Sequence, residues 1–157
     1  MKSVSMLAII QISFLSLAQT NAHLPLKSFS FDFVSVNVFD DTDSTFNESG
    51  QFTGDGEIQI YNDSITVTWT NQWECGTYRL FIDTANYQKM EYEDRLEWLS
   101  VYKVRSKGYH LVDGWLTLVE GSNIKDGSYT HIIYDTNFTS EGWARKRRFY
   151  PDLVELK

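Results

Sequence analysis

Apolar and polar residues alternate with a period of two along most of this chain, most clearly over Gly54–Thr70. There Ile58 and Ile60 alternate with Glu57 and Gln59, and Ile65, Val67 and Trp69 then alternate with Thr66, Thr68 and Thr70. Such alternation turns one set of side chains to a core and the other to solvent, so the segment predicts two strands. They join at Asn62-Asp63, residue types that tolerate the positive φ of a tight hairpin turn. Thr77–Asp83, Trp98–Arg105, Gly127–Asp135 and Trp143–Tyr150 read as further strands. Tyr109–Val119 predicts a second hairpin, turning at Asp113-Gly114. Trp69 and Trp115, on the apolar sides of the two hairpins, are expected in the core.

Two segments break the simple pattern. In Ser28–Phe39 the apolar parity changes from Phe29, Phe31 and Phe33 to Val34, Val36 and Val38. A β-bulge, or a strand passing from one sheet to another, would produce that change. In Ala85–Leu99 the residues Tyr92, Leu96 and Leu99 lie at helical spacing and Glu91 to Arg95 is a favourable i, i+4 pair, which predicts a short helix near residues 85–95. A strand reading competes, because Met90 and Tyr92 also alternate with Glu91 and Glu93. Asp40–Gly56 reads as a long acidic loop.

Eight to ten short strands separated by turn signals define an all-β chain. The expectation is an antiparallel β-sandwich of jelly-roll type, favoured over a barrel by the early change of face. The alternative is a lipocalin-like β-barrel. Asp83-Thr84-Ala85-Asn86-Tyr87 resembles a short stretch of that family, whereas its early Gly-x-Trp element and its cysteines have no counterpart here, so no ligand or role is carried over.

The N-terminus changes the setting. Lys2, an apolar run from Met6 to Ala18, and small residues at Thr20 and Ala22 have the form of a secretory signal peptide, with His23–Lys157 as one exported domain. Gln11, Ser13 and Ser16 interrupt the run, against a membrane anchor, and no second apolar span follows. Three sequons, at Asn47, Asn62 and Asn137, all in predicted turns or loops, fit an exported glycoprotein. The net charge of −7 argues against nucleic acid as a partner. Cys75 is the single cysteine, so an intrachain disulfide is excluded; the chain is a monomer with a buried thiol, or a Cys75-linked homodimer.

Candidate chemistry is sparse. Asp40, Asp41, Asp43 and Asp55 could converge on calcium, although no EF-hand spacing is present and a solvated acidic loop that blunts a strand edge is the favoured explanation. His23, His110, His131 and Cys75 lack zinc-ligand spacing, and neither His110 nor His131 has the setting of a base for a catalytic thiol. Trp73, Tyr78, Tyr87 and Tyr92 flank the least regular segment and form a candidate ligand surface, against the simpler reading of aromatics as strand and core residues. The carboxylates of Glu91–Glu97 do not have the spacing of a glycosidase strand pair. Arg145-Lys146-Arg147-Arg148 matches the Arg-x-(Lys/Arg)-Arg form cut by furin-type convertases, or is a basic last strand in an acidic body. The sequence therefore predicts a secreted, non-catalytic protein recognising an extracellular protein or glycan. A barrel-type carrier of small apolar ligands is the alternative, and a glycan-processing enzyme comes third.

Overall fold

The computed structural model describes residues 24–40, 42–70, 75–106, 114–136 and 146–157. The segment expected to be a signal peptide, His23, Asp41, Trp73, His110, Asp113, Asn137, Trp143 and Arg145 lie outside the described residues, as does the side chain of Cys75. Nine strands make up the described chain: β1 (Lys27–Asp40), β2 (Thr45–Ile60), β3 (Ser64–Thr70), β4 (Cys75–Glu91), β5 (Arg95–Ser106), β6 (Gly114–Asn123), β7 (Gly127–Thr136), β8 (Lys146–Tyr150) and β9 (Val154–Glu155). All belong to one antiparallel sheet in which each strand from β1 to β8 pairs with the next and β8 pairs back with β1. The pairings of β1–β8 thus form a closed ring, and β9 adds to β1 at Phe29 and Ser30.

The strand count agrees with the sequence pattern, but several strands are long, reaching 17 residues in β4. The Gly54–Thr70 hairpin forms in the expected register, with Ile60 opposite Ile65 and Ile58 opposite Val67. Its turn uses different means, since neither Asn62 nor Asp63 adopts a positive φ. Instead Tyr61 N–H donates to the Ser64 carbonyl (2.8 Å), and the Asp63 carbonyl accepts the Ile82 N–H (2.9 Å), so β4 supports the turn from the side.

The helix expected near residues 85–95 is a strand hairpin. β4 runs through Ala85–Glu91 and β5 begins at Arg95, with the Tyr92 N–H donating to the Arg95 carbonyl (2.9 Å) across the turn. Glu91 pairs with Lys89 and Arg95 with Glu97, both i, i+2 partners on a strand face rather than an i, i+4 helical pair. The competing alternation prevails because β5 supplies ladder partners from Leu80 to Glu91, which a lone helical stripe cannot match. The acidic loop is likewise largely strand: a turn at residues 42–44 leads into β2 at Thr45. Gly114 is no turn residue either. It sits in β6 between Val104 of β5 and Thr136 of β7, and the expected partner stretch before Asp113 lies outside the described residues.

The core fills the ring from all sides. Ile58, Ile60, Ile65, Leu80, Leu116, Leu118 and Ile132 are fully buried and are joined by Phe29, Phe31, Val67, Val104 and Tyr134. Leu116 and Leu118 set the inward parity of β6 and thereby turn Trp115 outward, where it is 45% exposed. Trp69, in contrast, packs against the core as expected. In β1 the register slips between Phe31 and Phe33, and the core-facing side passes from Phe29 and Phe31 to Val34. The change of parity in the sequence and the irregularity in the ladder therefore offset each other within one continuous strand.

Candidate ligand cavity

One end of the ring holds a cavity of about 370 Å³. Its walls come from the second half of β1 (Val34, Val36), the adjoining part of β2 (Phe52), the end of β3 (Trp69), the start of β4 (Tyr78) and alternate residues of β8 (Lys146, Arg148, Tyr150). Phe31 and Tyr150 form its floor at the boundary with the core, packed edge to face with ring centres 5.0 Å apart. Two glycines give these rings room. The Phe31 ring lies across Gly56, where a Cβ would sit 2.0 Å from it, and the Trp69 ring lies across Gly76, where a Cβ would sit 2.3 Å away. Both are directly opposed cross-strand pairs, so each glycine is the surface on which an aromatic ring lies flat.

Strand alternation divides the basic run. In β8, Lys146, Arg148 and Tyr150 lie opposite Thr136, Tyr134 and Ile132 of β7, all buried, and therefore face the interior. Arg147 and Phe149 face outward. Arg147 makes a two-pronged ion pair with Asp135 (2.7 and 2.9 Å) and stacks on the Phe46 ring (4.2 Å). Lys146 and Arg148 line the cavity and have no carboxylate partner among the described residues. Arg148 lies over the Tyr134 ring at 5.8 Å.

The Tyr78 and Tyr150 hydroxyls meet at 3.0 Å. Burial pushes the Tyr78 phenol above its ordinary pKa, opposed by the positive charge of Arg148 and by the bond to Tyr150. Burial, reinforced by Tyr78, holds the Tyr150 phenol well above the ordinary tyrosine range. The cavity thus offers aromatic and aliphatic walls, a neutral phenol pair and two inward cations.

Of the three described aromatics among the four selected from the sequence, Tyr78 enters this cavity and Tyr87 and Tyr92 do not. Tyr87 is 72% exposed on β4 and touches the Tyr102 ring; Tyr92 sits at the β4–β5 turn beneath the Arg95 guanidinium at 4.0 Å; Trp73 is outside the described residues. Of the metal candidates, Asp41 lies outside the described residues and the other three do not form one group. Asp40 accepts the Thr42 N–H and Asp43 the Thr45 N–H, each fixing the β1–β2 turn, while Asp55 lies within β2 opposite Thr70. Among the described residues no group of three or more His, Cys, Asp or Glu side chains is placed to hold a metal ion. No helix there is long and apolar enough to cross a membrane.

Asn47 is exposed but lies in β2 rather than in a loop, and Asn62 is exposed in the β2–β3 turn. Cys75 opens β4 opposite Thr70. His131 stacks on Tyr129 and meets Phe149 edge-on, in an aromatic contact on the outside of β7 and β8. The cavity residues missed by the sequence reading, Arg148 and Lys146 above all, were visible there as a basic cluster. Their inward direction follows only from the β7–β8 register. Comparison with protein-family models, with curated proteins and with solved structures gave no match.

Proposed function

We propose that the ring of strands is a β-barrel and that the chain is a secreted, N-glycosylated carrier of one small, largely apolar molecule. The observation that carries this reading is the 370 Å³ cavity bounded by strands of one sheet whose pairings return to their start. Sites for small organic ligands span roughly 300–1,000 Å³ and are mainly apolar with a few placed polar groups, a description this cavity fits at its lower end. The main support for a sandwich was the change of face in β1, and that change is accommodated inside a single strand. Recognition of a protein or glycan becomes the weaker reading, because its aromatics, Tyr78, Tyr87 and Tyr92, do not form one surface. A glycan on Asn62 would stand at the end of the ring opposite the cavity and leave its mouth open.

The test is saturable binding of an environment-sensitive apolar fluorophore to the secreted protein, with decanol as competitor. One site per chain is expected, and Val34→Phe, which fills part of the cavity, should abolish it. Equal binding by that variant would contradict the reading. Intact mass of the secreted protein, before and after glycosidase, should give a chain starting at His23 and carrying N-glycans.

A further inference from the structure

Resting on the cavity as a small-molecule site, we propose that its ligand is a monocarboxylate amphiphile, its acid group held by Arg148 with Lys146 beside it and its apolar body lying against Phe31, Trp69 and Val36. Three observations converge. Among the described residues of the lining, the two cations are the charged groups and no carboxylate is present. Their direction is fixed by paired register on both sides of β8, with Arg148 opposite Tyr134 of β7 and Val36 of β1. The intervening Arg147, facing outward, has its own carboxylate in Asp135.

The chemistry follows from this division. A half-buried guanidinium without a carboxylate partner among the described residues has lost part of its hydration, and of those residues the face of Tyr134 lies beneath it. A planar carboxylate matches its forked donors, and the resulting charge-assisted bonds are among the strongest available to a ligand. Lys146, one strand step nearer the open end, adds a compact second charge. The apolar walls below the cations would be poorly filled by a small inorganic anion, and a neutral hydrocarbon would leave the cations unmatched. A molecule with one acidic end and one apolar body uses both.

Decanoate and decanol, which share a chain and differ in the head group, provide the test. Their affinities at neutral pH should be measured by calorimetry on the wild-type protein and on Arg148→Gln, Lys146→Gln and Arg147→Gln. The wild type should prefer decanoate by about tenfold or more. Arg148→Gln should remove most of that preference, chiefly by weakening decanoate, Lys146→Gln should reduce it, and Arg147→Gln should leave it intact. Equal affinities in the wild type, or a preference that survives Arg148→Gln, would overturn the carboxylate assignment while leaving the cavity reading standing. An equal loss in Arg147→Gln would overturn it too, since net charge rather than the site would then govern binding. If neither compound binds, both the assignment and the cavity reading fall.

Discussion

Tyr78 and Tyr150, separated by 72 residues in the sequence, join their hydroxyls at 3.0 Å between β4 and β8, two strands that are not neighbours in the sheet. The contact spans the interior of the ring and ties its opposite walls together at the floor of the cavity. Each hydroxyl is the other's partner. Removing one leaves the other unsatisfied, so the two losses should not add. Tyr150→Phe or Tyr78→Phe alone is expected to lower unfolding stability by about 1–3 kcal/mol, and the double variant by clearly less than the sum. Denaturant unfolding of the four proteins in a double-mutant cycle measures this, and strict additivity would show that the bond contributes nothing.

Alkaline pH should weaken the fold through tyrosine ionisation. Burial, with the nearby Tyr87, pushes Tyr102 up to about 12, and the hydrogen bond to Glu97 pushes Tyr129 up to about 12, each from an ordinary value of 10.0. Phenols with raised values favour the folded state fully below pH 10, and that contribution is lost as pH rises from 10 to about 12. Phenolate absorbance should accordingly show a late-titrating group together with falling stability over that interval. Tyr129→Phe should remove part of the stability loss. A titration in which all tyrosines ionise together, without loss of stability, would contradict the packing described.

Gly56 and Gly76 should not tolerate a methyl group, since each lies beneath an aromatic ring of the cavity wall. Gly56→Ala and Gly76→Ala are expected to destabilise by about 1–3 kcal/mol through overpacking. Gly50, where the nearest side-chain atom would be 3.9 Å from a new Cβ, serves as the control and should be nearly neutral. Thermal unfolding of the three variants decides between ring-on-glycine packing and ordinary strand glycines.

Cleavage at the basic run should be destructive rather than maturing. Lys146–Arg148 is paired with β1 and β7, and the residues beyond it include the buried Tyr150 and Leu153 and the β9 pairing to β1. A chain ending at Arg148 loses two buried side chains, each contributing about 2–5 kcal/mol, out of a typical total of about 5–15 kcal/mol. Expression of that truncated chain should yield no cooperatively folded protein. A folded, ligand-binding truncation product would support a processing site instead.

The legible part of this fold was local. Alternation in Gly54–Thr70 was strong enough to give the β2–β3 register, and the parity change of Ser28–Phe39 marked the irregularity in β1. The failures came where a partner strand decides. Glu91 and Arg95 satisfy a helical spacing as well as a strand turn, and β5 resolves the ambiguity in favour of the strand. Gly114 has the neighbour of a turn glycine, yet its place between Val104 and Thr136 comes from long-range pairing. The cavity was least legible, because the direction of Lys146 and Arg148 depends on which residues of β7 and β1 face them. No local pattern contains that information.

The central claim, that the open end of the ring holds an acidic amphiphile, is tested most directly by intermolecular nuclear Overhauser effects between isotope-labelled decanoate and the protein. The account predicts contacts from the alkyl chain to the rings of Phe31, Trp69 and Tyr150, with the carboxylate end near Arg148. Contacts confined to the exposed rings of Tyr87, Trp98 or Trp115 would contradict it.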